Sequence, residues 1–121
     1  MNHKAFNIYA LSVLLTLIIT RIFLSISPET NFYLLGYNIH HLYTGLFLLI
    51  LLLPFLLFHK SNIIFFLLAG VATALILDEF VYLLFTNGTD AAYLGTVSLW
   101  GMILFSIFYL LYTYLIVKSF K

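Results

Sequence analysis

Four long apolar runs, at positions 6–26, 39–58, 63–85 and 93–117, leave this chain few ways to fold. A helix needs about 20 mainly apolar residues to cross the hydrocarbon core of a bilayer. Each run meets that length. A transmembrane barrel would need shorter segments that alternate apolar with polar residues. Residues 46–53 do not alternate. A helix also satisfies its own backbone groups inside lipid. The expectation is therefore an all-α, membrane-spanning four-helix bundle, with residues 1–121 forming one integral membrane domain. Composition agrees. The chain is 64% hydrophobic and only 7% charged, where a soluble domain carries about 25% charged residues. A fold of this size cannot hide so much apolar surface from water.

The first run is too long for the apolar core of a signal peptide, about 7–15 residues, and it carries Arg21. It reads as a retained span. Basic residues in short loops set orientation. With four spans, Lys4, Lys60, Lys118 and Lys121 fall on one side, and Glu29 and Asp90 on the other. The expectation is a multi-pass protein of the cell membrane with both termini cytoplasmic. His59-Lys60-Ser61-Asn62 would be a tight cytoplasmic turn. On the outer side, Ser27-Pro28-Glu29 has the cap, early proline and early acid of a helix start. The link from Ser27 to Asn38 is expected to form a short interfacial helix or a lid. Tyr109, Tyr112 and Tyr114 suit an aromatic belt at the cytoplasmic interface.

Inside this apolar framework, Asp78 and Glu79 stand out. Charge in the bilayer centre costs at least about 2.5 kcal/mol per residue on insertion scales, so such residues face a partner or a wet cavity. Asp78 lies about 10 Å from the outer end of its span, and Arg21 about 8 Å from the outer end of the first, at 1.5 Å per residue. His40 and His41 open the second span at the same end. The first turns of the fourth bring Tyr93, Thr96 and Trp100 there. The ionisable groups of three spans thus converge on one end. Gly70, Ala74, Asp78 and Tyr82 recur every four residues, which places them on one stripe, and small residues let a neighbouring backbone come close. Glu79 is turned about 100° away. His41 shares a face with Thr44 and Gly45. The expected cluster is Arg21, His40, His41, Asp78 and Glu79, with Thr44, Tyr82 and Trp100 as walls.

Several chemistries compete for this cluster. A structural charge network would pair Arg21 with Asp78 or Glu79 and fix which helices meet. A divalent metal site is the second reading, because histidine and carboxylate are donors for zinc, iron or manganese. His41 and Asp78 would be the ligands, with His40 or Glu79 reaching round. The spacing departs from the familiar Glu-x-x-His and His-x-x-x-His patterns. Haem is disfavoured, since no two histidines face each other across the bundle. A pump is disfavoured, since the inner half of the second span has no polar side chain. An acid–base enzyme using His, Asp and Glu stays open, with no nucleophile singled out. Nucleic acid is excluded by a net charge of +1 and no basic patch. The absence of cysteine excludes thiol chemistry.

The pattern Gly36-Tyr37-Asn38-Ile39-His40-His41-Leu42-Tyr43-Thr44-Gly45, followed by Leu77-Asp78-Glu79, resembles small four-span prokaryotic membrane proteins that carry no established activity. The resemblance implies a four-helix membrane fold and no function. The leading expectation is an outward-facing site for a ligand or partner. The rivals are a metal-dependent or acid–base membrane enzyme, and a subunit of a larger membrane complex or homo-oligomer whose charges pair with other spans. Beyond these, the bilayer is the one partner the sequence implies.

Overall fold

The computed structural model describes residues 3–58 and 62–119. The elements are α1 (His3–Ile26), β1 (Tyr33–Leu34), β2 (Tyr37–Asn38), α2 (His41–Phe58), α3 (Ile63–Phe85), α4 (Asp90–Tyr93) and α5 (Thr96–Ser119). The fold is all-α apart from one small antiparallel hairpin. Four helices, α1, α2, α3 and α5, are long and apolar enough to cross a membrane. Asn62 caps α3 by accepting from the Ile64 amide at 3.1 Å. The expected turn at His59, Lys60 and Ser61 lies outside the described residues, as does Lys121.

The helices do not form a four-sided ring. Helix α3 is a hub, packed against α1, α2 and α5, while α2 approaches neither α1 nor α5. The sequence explains the hub. Its inward residues Ala69, Gly70, Ala72, Thr73 and Ala74 are small and buried. Each of its three interfaces also holds a glycine. A Cβ on Gly45 of α2 would lie 2.6 Å from the Ala72 carbonyl oxygen, and one on Gly70 would lie 2.7 Å from the Tyr9 carbonyl oxygen of α1. One on Gly101 of α5 would collide with Val81. Helix backbones meet closely there, as at other small-residue helix interfaces.

Outward surfaces are apolar. Ile19, Phe47 and Phe108 are 64%, 64% and 68% exposed. Helices α1 and α5 diverge and leave an apolar groove of about 450 Å³ between them. Deeper along the same seam, the Tyr9 hydroxyl donates to Thr73 Oγ1 at 2.9 Å and meets the Tyr109 hydroxyl at 2.9 Å. Tyr109, expected in an interfacial belt, thus bonds to a neighbouring helix.

Residues 27–40 correct a second expectation. They form the β1–β2 hairpin instead of an interfacial helix, with Tyr33 opposite Asn38 and Leu34 opposite Tyr37. The two turn residues, Leu35 and Gly36, sit at φ 51° and 84°. Positive φ at both positions matches the twist of a two-residue hairpin. That turn outweighs the helix-start signal of Ser27-Pro28-Glu29.

Candidate functional site

The ends of α1 and α3 and the starts of α2 and α5 meet beside α4, and the ionisable side chains gather there. Arg21 reaches across from α1. Its Nε donates to Asp78 Oδ1 at 2.5 Å, Nη1 to the Tyr93 carbonyl at 2.9 Å, and Nη2 to the Asp78 carbonyl and Ser98 Oγ, each at 3.0 Å. The guanidinium carbon also lies 4.1 Å from the centroid of the Tyr93 ring. A planar donor fork suits such divided duty better than a lysine would.

Asp78 is fully buried. Besides Arg21, it binds His41 Nε2 at 2.7 Å through Oδ2 and accepts from the Tyr93 hydroxyl. Tyr93 belongs to α4, outside the long helices. Burial first, and then the Asp78 carboxylate, push its phenol well above the ordinary tyrosine value, so it stays a donor.

Glu79, turned toward α2, holds that helix by its start. Its Oε2 accepts from the Leu42 amide at 2.8 Å. The first amides of a helix have no partner within it, and a carboxylate is favoured at that positive end. Its Oε1 lies 3.1 Å from His40 Nδ1 and 3.3 Å from His41 Nδ1. His41 therefore has a carboxylate on each ring nitrogen. Of these two contacts, the one to Asp78 has hydrogen-bond geometry. His40 differs. Glu79 engages its Nδ1, and its Nε2 makes no hydrogen bond among the described residues.

Beside this network lies an open cavity of about 270 Å³. One wall carries His40, His41, Thr44, Glu79, Tyr82 and Asp90; the other carries Leu24, Pro28, Phe32 and Leu94. The hairpin borders it and is tied to α4. Asn38 Nδ2 donates to Asn31 Oδ1 at 3.1 Å, and Asn31 Nδ2 donates to Asp90 Oδ2 at 3.4 Å.

The structure brings Arg21, His40, His41, Asp78 and Glu79 into one network and places Thr44 and Tyr82 on the cavity wall. It does not bring Trp100, which is 59% exposed on the outside of α5. The metal expectation also changes. Among the described residues no three His, Asp or Glu side chains are arranged to hold a metal ion. His41 Nε2 meets Asp78, and His40 Nδ1 meets Glu79. Sequence reasoning missed Ser98, and it brought Tyr93 to this end without placing it in the cluster. Ser98 is fully buried under Arg21. Tyr93 donates its hydroxyl and lends its carbonyl. A lone serine two positions before Trp100, on the other face of the helix, was the available signal for Ser98. Comparison with family models, with curated proteins and with solved structures gave no match to this chain.

Proposed function

We propose that this is a multi-pass membrane protein with both termini cytoplasmic, whose polar cavity on the opposite face holds a small ligand. One observation carries the reading. The cavity wall is built from His40, His41 and Glu79; Asp78, itself held by Arg21, fixes His41 from behind, and Glu79 fixes His40. Ligand sites are concave, with a few oriented polar groups set against apolar wall. The orientation is supported by charge placement: Lys4 and Lys118 lie at one end of the helices, and Glu29 and Asp90 at the other.

A second reading has its own support. Arg21 and Asp78 are so completely engaged with each other and with Tyr93 and Ser98 that they act as a clamp joining α1, α3, α4 and α5. The two readings are compatible, since the clamp holds the wall that the ligand meets. An acid–base enzyme rests on His40, whose carboxylate-held ring is the arrangement that orients a proton acceptor.

The chain has no cysteine, so a single introduced thiol reports its own surroundings. In intact cells, a membrane-impermeant thiol reagent is expected to label Thr44→Cys and to spare Lys118→Cys until the membrane is opened. Labelling of Lys118→Cys alone reverses the orientation. Failure to label Thr44→Cys even in detergent removes the cavity.

A further inference from the structure

We infer that the cavity takes a small organic cation bearing N–H groups, a primary ammonium on a short hydrocarbon; this rests on the ligand-site reading above. The argument begins with what lines the cavity. Among the described residues no lysine or arginine does. Arg21 lies beneath, and four of its five N–H groups donate to Asp78, Tyr93 and Ser98. The α2 N-terminus, the usual helix-end donor for an anion, is already covered by Glu79. An anion entering here would find its natural donors taken and the Glu79 and Asp90 carboxylates facing it.

The acceptors point the other way. Among the described residues the Asp90 carboxylate receives one long hydrogen bond, from Asn31 at 3.4 Å, which leaves capacity for an incoming donor. Glu79 fixes His40 through Nδ1. His40 Nε2 has no hydrogen-bond partner among the described residues, and in a neutral ring whose Nδ1 donates to Glu79 that nitrogen is an acceptor. Aromatic faces add to this, because a cation within about 6 Å of a ring centroid is attracted by its quadrupole, and both Tyr82 and Phe32 line the space. Leu24, Pro28 and Leu94 supply a dry wall for a short hydrocarbon. Charge outside the cavity reinforces the choice. With Arg21 set against Asp78, the acids Glu29, Glu79 and Asp90 remain at this end, and a cleft lined by one sign of charge concentrates the opposite ion. A metal ion is the poorer candidate cation, since among the described residues no three ligating side chains converge.

The test reads the cavity with charged reagents. Thr44→Cys and, as a reference outside the cavity, Leu35→Cys at the 92%-exposed hairpin tip are purified in detergent and checked for wild-type elution. Each is reacted with methanethiosulfonates carrying either an ethylammonium or a sulfonatoethyl group. The cation-to-anion rate ratio is expected to be about tenfold higher at Thr44→Cys than at Leu35→Cys, in the range of electrostatic focusing. Adding Asp90→Asn should reduce it. n-Propylammonium should protect Thr44→Cys, while propanol and propionate should not. Equal ratios at the two positions, or protection by propionate, overturn the cation inference and leave the cavity standing. No reaction at Thr44→Cys with either reagent overturns the cavity itself.

Discussion

Arg21 grips Asp78 twice, once through the side chain and once through the backbone: Nε donates to the carboxylate and Nη2 to the carbonyl of the same residue. The contact thus fixes the α3 backbone as well as neutralising a charge. It also explains why α1 and α3 register so closely, with Ser12 Oγ bonding the Leu67 carbonyl at 2.7 Å further along the same interface.

Removing one partner should be far worse than removing both. Asp78→Asn leaves Arg21 buried without its counter-charge, and broken buried pairs cost about 3–5 kcal/mol. Arg21→Met together with Asp78→Leu should recover most of that loss. Thermal unfolding of the three proteins in one detergent measures the difference. A double variant as unstable as Asp78→Asn counts against the clamp.

Glu79 should act mainly on the start of α2. Glu79→Gln keeps an oxygen for the Leu42 amide and loses the charge, a change worth about 0.3–1 kcal/mol at a helix N-terminus. Glu79→Ala also strands that amide, at about 1–3 kcal/mol. Amide exchange at Leu42 should therefore rise in the order wild type, Gln, Ala.

The hub depends on its glycines. Gly45→Ala drives a methyl against the Ala72 carbonyl, and overpacking of this kind costs about 1–3 kcal/mol. Gly101→Ala meets a side chain instead, that of Val81. Adding Val81→Ala should rescue Gly101→Ala, and no single side-chain truncation should rescue Gly45→Ala. Unfolding midpoints of the paired variants decide this.

Leu35 is a poor residue for its backbone. At φ 51° a non-glycine side chain carries a cost of about 1–2 kcal/mol, and asparagine tolerates the region better. Leu35→Asn should slow amide exchange across the hairpin at Leu34 and Tyr37, the hydrogen-bonded pair beside the turn. Unchanged or faster exchange would mean that the leucine makes a compensating contact.

Much of this organisation is legible in the residues. The four apolar runs mark the long helices because only length and hydropathy are needed. The four-residue spacing of Gly70, Ala74, Asp78 and Tyr82 marks the inward stripe, because a helix returns to one face at that interval. What escaped depends on local geometry that periodicity does not carry. Gly95 ends a short turn of helix and begins another, so Tyr93 leaves the axis of α5 and swings its phenol over Asp78. Trp100 looked like a wall by its distance along the chain, yet the face of α5 that meets α3 passes through Ser98 and Gly101. The hairpin stayed hidden because a leucine occupies a turn position where asparagine or glycine would have announced it.

The separation of Arg21 from Asp78 along the chain, 57 residues, sets a schedule as well as a fold. At about 5–20 residues per second of synthesis, α1 is complete about 3–11 seconds before its carboxylate partner exists. For that interval, in a bilayer, the arginine has only the water at the membrane surface to solvate it. Ser98, the other side chain that accepts from Arg21, is made later still, 77 residues after it. The charges that order this end of the molecule therefore also time its assembly, with α3 as the arrival that lets the first helix settle.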